Sequence, residues 1–593
     1  MSIFLFLLFS LFLTKNAYAA SDFNSVQNIT YDININGDAT VNQNIELTNN
    51  YSEIYPKEYQ ISISGPNIER VKANDELGNI LQKTDKIDDN TSVFLKFNQN
   101  NLGKDKKTDF KLDYFIPKLA VHKGSVWEIS LPEYKNISDT DNVIISLNVP
   151  DSFGTLSFSS VTPQNTYSLD KQSHLQFNTA NIKNKKILIA FGNYQTFDFS
   201  FKYFLDNPSS KTLNTEIAIP PETDGQKIIL KNIEPKPLEI KVDKDGNWLA
   251  QYQLLAQQNL EITVSGQAKI VNSTVKNQSA DFSSLTQNQT YWPVDDQSII
   301  DIAKNLNTPK DIYDYVVNTL TYDYSGLNSA RRKGALEALL NPSTSLCTEF
   351  TDLFVTLARA KGIPAREVEG FAYTNNTKIK PVNTNTDILH AWPQYYDSSS
   401  QKWISIDPTW AKTTNGIDFF NDLDLNHFAF VIHGQNSQYP SPPGSYKGNR
   451  NIKTVFVDFA DQEIKRTNYP IQITSVKTKF NESPQIIINN PNSNSLNEVV
   501  VSMSKNNWQQ KIEVLPPFAS LKIKVSNLNF FQSLLPNNQK LTFNIKSDGV
   551  DSPSNYSIAY PNHYFNLLIS IGSGIIILLF GGIILIVNRK SKK

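Results

Sequence analysis

Over residues 28–269 the chain alternates apolar and polar side chains in short runs interrupted by Asn, Asp, Gly and Pro. A period of two sends successive side chains to opposite faces of a pleated strand, so this stretch is confined to β-sheets with one buried face. Ile29, Tyr31, Ile33 and Ile35, then Asn36-Gly37, then Val41, Ile45 and Leu47 read as a hairpin, with Asn-Gly supplying the positive φ of a type I′ turn. Residues 93–97 and 143–149 repeat the pattern, and 197–203 with 260–264 open and close a second β unit, so two sandwiches are expected. The run Asp243-Lys244-Asp245-Gly246-Asn247 begins like a calcium loop, but Ala250 and Tyr252 fill later ligand positions, which leaves a hairpin turn.

At 593 residues the chain exceeds one hydrophobic core, and its composition changes along its length. Residues 272–290 are rich in Ser, Asn, Gln and Thr and read as a linker. From Pro309 the period becomes helical, with Ile312, Tyr315, Val316 and Thr319 on one face, and residues 335–340 make a second helix that ends before Pro342. Residues 435–448 are rich in Pro, Ser and Gly. Strand patterns then resume at 471–488, 498–503, 521–525 and 540–545, the expectation being a third, immunoglobulin-like sandwich. The resulting division is a signal peptide at 1–20, β-sandwich domains at 21–195 and 196–271, a linker at 272–291, an α+β domain at 292–436, a linker at 437–450, a C-terminal β-sandwich at 451–562, a membrane helix at 563–588 and a basic tail at 589–593.

The two ends set the expected location. Residues 3–13 are apolar and are followed by Ala17-Tyr18-Ala19-Ala20, the form of a secretory signal with a small-residue cleavage site, although no Lys or Arg precedes the apolar run. Residues 565–587 are almost uninterruptedly apolar and long enough at helical rise for a hydrocarbon core of about 30 Å. Arg589, Lys590, Lys592 and Lys593 follow, which places that end in the cytoplasm and nearly everything from Ser21 onward outside. Lys+Arg 56 against Asp+Glu 57 gives a formal charge of -1, so no global field draws the chain to nucleic acid, and nucleic acid is not an expected partner.

The chain has one cysteine, Cys347, which cannot form an intrachain disulfide, and its six histidines show no close ligand spacing. No metal and no cofactor are expected. Cys347 stands at the start of an apolar-faced helical stretch carrying Phe350, Leu353, Phe354, Leu357 and Ala358, which Gly362 and Pro364 terminate. The unpaired amides of a helix N-terminus favour a thiolate there. Downstream come His390-Ala391-Trp392 and Trp403-Ile404-Ser405-Ile406-Asp407-Pro408-Thr409, two strands of one hairpin about the polar turn 397–401. A thiol, an imidazole and a carboxylate are the parts of an activated nucleophile: the base takes the thiol proton and the acid holds the base.

In these residues the chain resembles the transglutaminase-like superfamily, the papain-like thiol fold. The likeness runs in order through residues 315–323, Cys347, Leu357-Ala358-Arg359-Ala360-Lys361-Gly362-Ile363-Pro364-Ala365-Arg366, His390-Ala391-Trp392 and Asp407-Pro408-Thr409. It implies a catalytic Cys347, His390 and Asp407 acting on amide bonds of extracellular or cell-envelope proteins or peptides, with the acyl group passing to water or to an amine. Ser345 stands where many relatives have Gly, and Leu346-Cys347-Thr348 stands where the tissue enzymes have Gln-Cys-Trp, so neither an oxyanion tryptophan nor calcium activation is carried over. Glu349 and Arg366 match the bacterial pattern and read as structural, pairing near the helix.

Trp392, Trp403 and Trp410 read as packing around the site, with Trp392 and Trp410 as walls of a substrate groove in the alternative. His427 and His433 read as structural histidines in one strand, and the polar stretch 373–387 as a lid. The Cys347 amide is one oxyanion donor; the sequence identifies no second. The competing reading is a non-catalytic surface adhesion or scaffold module whose degenerate thiol domain binds peptide.

Overall fold

The computed structural model describes residues 22–590 apart from short stretches, the longest being 134–141, 273–281, 477–484 and 526–538. The expected signal peptide at 1–20 and residues 273–281 of the linker at 272–291 lie outside the described residues. The chain divides into two compact units, one formed by residues up to 122 with 127–191, the other by 123–126 with 192–593. The described structure is mostly β, in several sheets, with few helices.

In the first unit, β1 (Phe23–Ile33) lies between β2 (Ala39–Asn49), its antiparallel hairpin partner, and β4 (Asn142–Pro150), which it meets in parallel; β2 in turn pairs with β3 (Lys107–Ile116) in the same eight-stranded sheet. Ile29, Tyr31, Ile33, Val41, Ile45 and Leu47 are buried, as the alternation requires. The turn differs from the expected two-residue one. The register pairs Ile33 with Ala39, and the Asn34 side chain accepts hydrogen bonds from the amides of Asn36 (2.9 Å) and Asp38 (3.1 Å), so five residues make the connection and Ile35 is 70% exposed. An Asx turn at Asn34 competes with the Asn-Gly signal and wins because it satisfies two amides at once. Gly37 keeps its expected positive φ, +85°, and a Cβ there would overlap the Ala120 carbonyl.

The second unit begins with β5 (Gln195–Asp206), which pairs with β7 (Asn259–Ile270), itself paired with β6 (Gln226–Glu234). The Asp243–Asn247 run forms a turn in which Asp243 accepts the amides of Asp245 and Asn247. Then comes the α+β region: α1 (Pro309–Thr319), α2 (Gly334–Leu340), α3 (Cys347–Ala360), β8 (Ala365–Ala372), β9 (His390–Asp397), β10 (Lys402–Ser405), α4 (Pro408–Thr414) and β11 (His427–His433). Its strands form an antiparallel sheet in the order β10-β9-β8-β11.

The chain next returns as β12 (Val455–Phe459) to the edge of β5, pairing Phe197 with Phe459. The sequence reading assigns these residues to the C-terminal sandwich. Alternation identifies a strand but not its partner, and here the apolar face of β12 is completed by β5, with the rings of Phe197 and Phe459 at 5.4 Å. Residues 437–450 are likewise less of a linker than their composition suggests. The Ser437 and Pro440 carbonyls accept from Arg332 and His433, and the rings of Tyr446 and Tyr203 lie 5.2 Å apart. Beyond them, a three-stranded sheet (Gln472–Val476, Gln485–Asn489, Ser520–Lys524) and a four-stranded one (Gln509–Leu515, Leu496–Met503, Gln539–Asp548, Ser554–Tyr560) form the C-terminal β region.

The last element, α5 (His563–Lys590), coincides with the apolar run near the C-terminus. Among the described residues no helix is long and apolar enough to cross a membrane, so the expected transmembrane helix is not found.

Candidate active site

α3 is the axis of the site. Gly362 (φ +76°) ends it by giving its amide to the Arg359 carbonyl at 2.8 Å, while Ile363 bonds Ala358 at 2.9 Å, a left-handed C-terminal stop that suits glycine. At the other end Leu346 has no side-chain acceptor, and Glu349 reaches back to the Leu346 amide (2.9 Å) and across to the Lys333 amide (2.9 Å). Glu349 therefore fixes the turn that carries Cys347 through backbone amides rather than an ion pair.

The expected single buried face is an underestimate, because residues 349–359 of α3 are all buried. Most of the polar ones are satisfied internally, the Thr351 hydroxyl being an exception. Asp352 receives Trp292 Nε1 at 2.8 Å and the Arg332 guanidinium, which also reaches Glu367 at 2.8 Å and Glu369 at 3.5 Å. Arg359 donates to the carbonyls of Ala365, Gln287 and Gly434. His433 bonds Glu367 (2.9 Å) and the Pro440 carbonyl (2.7 Å), a satisfied structural histidine as read from sequence. Such a network fixes α3 laterally, since every buried charge is tied to a specific neighbour.

Cys347, the first residue of α3, is partly exposed, unlike the buried residues 349–359 that follow it. His390 opens β9 and is buried; its Nε2 lies 2.9 Å from Asp407 Oδ2, and its Nδ1 has no conventional hydrogen-bond partner. The Cys347 thiol interacts with the same imidazole, which leaves Nδ1 as the atom that can take and return a proton. Burial disfavours the imidazolium, but the charge and hydrogen bond of Asp407, with Cys347 adding to them, outweigh it and raise His390 to about 9. Burial pushes the Asp407 carboxyl up, and His390 with His427 overcomes that and holds it at about 2.

Asp407 is not a hairpin-pairing residue. The β9/β10 ladder runs from Asp397↔Lys402 to Gln394↔Ser405, and Asp407 lies past its end as the N-cap of α4. Its Oδ1 accepts the Trp410 amide at 2.9 Å while Oδ2 faces His390, and Pro408 occupies the first helical position, where no amide is needed. The cap immobilises the carboxylate that orients the imidazole.

Trp410, fully buried, stacks on His390 at 5.0 Å and 21° and donates Nε1 to the Pro381 carbonyl at 3.1 Å, so it packs the base instead of walling a groove. Trp392 is also buried, 6.1 Å from His390, but borders a cavity of about 310 Å³ with Arg366, Gln394, Trp403, Asp424 and His427. Cys347 is not among the residues that line it, so this cavity is not where acyl transfer would occur. Arg366 lies over Trp403 (4.0 Å) and bonds Gln394 (2.8 Å).

Sequence reasoning assigns His427 no part in the site, yet it stands behind the triad. Its Nδ1 bonds Asp424 at 2.9 Å, and its Nε2 is 3.6 Å from Asp407, beyond hydrogen-bond distance and within range of charge. Lys380 pairs with Asp424 at 3.4 Å and covers Trp410. His427 lies in an apolar strand, and only the β8/β11 pairing brings it to Asp407. Lys380 belongs to the expected lid, whose described residues are anchored: Asp387 accepts the amides of Thr454 (2.7 Å) and Val455 (2.6 Å).

His390, Asp407 and His427, and separately Glu367, Glu369 and His433, have ligand atoms close enough to share a metal ion. In each group the shortest contact is a 2.9 Å hydrogen bond between imidazole and carboxylate.

No curated relative matches the chain. Among solved structures, it is similar to a presumed cysteine protease from Cytophaga hutchinsonii (15% identity, TM-score 0.31, covering 45% of this chain and 99% of that one). It is also similar to the periplasmic domain of TgpA from Pseudomonas aeruginosa (16%, 0.20, 38% and 91%), and to aminopeptidase A from Legionella pneumophila (9%, 0.20, 32% and 23%). Residues 298–408, which contain Cys347, His390 and Asp407, match the Transglutaminase-like superfamily, and this part of the chain is a transglutaminase-like domain.

Proposed function

We propose that the protein is a thiol enzyme that acts on amide bonds of proteins or peptides outside the cytoplasm, through Cys347 as nucleophile, His390 as base and acid, and Asp407 as the group that orients and charges His390. The observation that carries this reading is the His390 ring held between a partly exposed thiol and a buried, helix-capping carboxylate.

In the proposed cycle His390 Nδ1 takes the Cys347 proton, which leaves a thiolate beside an imidazolium. The thiolate attacks the amide carbon, a C–S bond forms, and the carbonyl electron pair moves to oxygen. Collapse breaks the C–N bond, and the His390 proton goes to the departing amine. Water or a second amine, deprotonated by His390, then attacks the thioester and frees the thiol. The His390–Asp407 pair differs from the buried, structural His433–Glu367 pair in having a thiol against its imidazole, a feature an interaction-only module does not need.

The test is turnover of glutamine-containing peptides and casein by the full chain, with and without dansylcadaverine, set against Cys347→Ala. Ammonia release with dansyl incorporation identifies amine transfer, ammonia alone deamidation, and new peptide termini proteolysis. Equal signals from wild type and Cys347→Ala would sink the proposal. Fractionation of the native host cell tests the location, which a purely cytoplasmic pool would contradict.

A further inference from the structure

Attack on an amide by Cys347 leaves negative charge on the carbonyl oxygen, and a preorganised site supplies more than one donor for it. The Cys347 amide, at the first turn of α3, is one. The chain that follows α1 runs beside the segment leading into α3: Thr321 gives its amide to the Pro342 carbonyl (2.9 Å), Asp323 gives its amide to Ser345 (2.9 Å), and Tyr322 forms a parallel bridge with Ser345. Tyr322 is thereby clamped two residues before the nucleophile, with its ring edge-on to Tyr324 at 5.0 Å.

The Tyr322 side chain is 6% exposed, and its hydroxyl is buried with no hydrogen-bond partner. Buried tyrosine hydroxyls ordinarily find one, so an orphan beside a reactive thiol has a donor to give. After burial itself, Cys347 is the strongest influence on this hydroxyl, ahead of Tyr324, Asp407 and Glu349, which sets it at the thiol end of the triad. Burial and the thiol together push it well above the ordinary tyrosine range, so it keeps its proton and stays a donor.

We propose that the Tyr322 hydroxyl is the second oxyanion donor, meeting the substrate oxygen together with the Cys347 amide. This rests on the thiol-enzyme reading above. As Sγ bonds the carbonyl carbon, the displaced π pair on oxygen accepts from Tyr322 O–H and Cys347 N–H; on collapse the pair returns to carbon and the leaving group departs.

Two probes on the full chain separate this role from the alternatives. p-Nitrophenyl acetate acylates Cys347 through a tetrahedral oxyanion and releases nitrophenolate, whereas iodoacetamide alkylates the same sulfur by displacement of iodide with no oxyanion. For Tyr322→Phe the expected result is acetylation slowed by about a hundredfold, with alkylation within about twofold of wild type. Unchanged acetylation would overturn the assignment. So would a parallel loss of both rates, which would mean that Tyr322 holds the thiolate or the local fold. A wild-type protein whose Cys347 reacts with neither probe faster than free cysteine would overturn the thiol-enzyme reading, and the Tyr322 role with it.

Discussion

Replacing Asp407 by Asn keeps the shape of the side chain and removes the charge that keeps His390 protonated. His390 stands at about 9 against an ordinary 6.5, a difference that corresponds to about 3 kcal/mol in favour of the imidazolium. Seen from Asp407, lowered from 3.8 to about 2, the same interaction corresponds to about 2 kcal/mol. The smaller figure is the safer one for the pair, because Cys347 also contributes to His390. At pH 7.5 an imidazole at 9 is roughly 97% protonated and one at 6.5 roughly 9%, so the imidazolium beside Cys347 is depleted by about tenfold. Burial no longer opposed by Asp407 would pull His390 lower still, which makes tenfold a minimum. The assay is the second-order rate of iodoacetamide labelling against pH. Wild type should lose its imidazolium-dependent reactivity only as pH rises through about 9, and Asp407→Asn should lose it below neutrality. The pair's contribution to stability follows the same signs: the raised His390 contributes fully below about 6.5 and loses its contribution toward about 9, while the depressed Asp407 contributes above about 3.8 and loses its contribution toward about 2. Coincident labelling profiles for the two proteins would refute the argument that Asp407 charges the base.

Arg332→Met strands Asp352 and Glu367 as buried carboxylates and should cost about 3–5 kcal/mol in denaturant unfolding; a loss below about 1 kcal/mol would mean the network contributes little. Gly370→Ala would drive a methyl into the Phe428 carbonyl across the β8/β11 bulge, so melting should show a loss of about 1–3 kcal/mol, accompanied by slower Cys347 labelling as β11 and His427 shift. Tyr322→Phe should separate acetylation from alkylation of Cys347 by about a hundredfold.

The nucleophile was legible because its parts are local: Cys347 before an apolar helix, the Gly362 stop, and the β9/β10 hairpin each carry their own signal within a dozen residues. The rest depends on contacts distant in sequence. His427 looks like any polar residue in an apolar strand until β11 pairs with β8 and brings it to Asp407. Tyr322 lies 25 residues before Cys347, and its relevance rests on a single bridge to Ser345. β12 alternates like its neighbours, and nothing in a period of two says that it will join β5. The helix α3 looked amphipathic because Asp352, Thr356 and Arg359 are polar, whereas their partners Arg332, Trp292 and the carbonyls of Gln287 and Gly434 make a wholly buried helix affordable. Asn36-Gly37 is the opposite case, a strong local signal overridden by an Asx turn at Asn34, two residues earlier in the loop.

The central claim is that Cys347 is a nucleophile activated by His390. It is tested most directly by the rate at which iodoacetamide labels Cys347 at pH 7, in wild type beside His390→Ala, with the modified residue identified by peptide mass. An activated site predicts that wild type reacts faster than free cysteine and that His390→Ala slows it by tenfold or more. A wild-type thiol that reacts no faster than free cysteine, and at the same rate without His390, would contradict the account and leave a peptide-binding module as the reading of this domain.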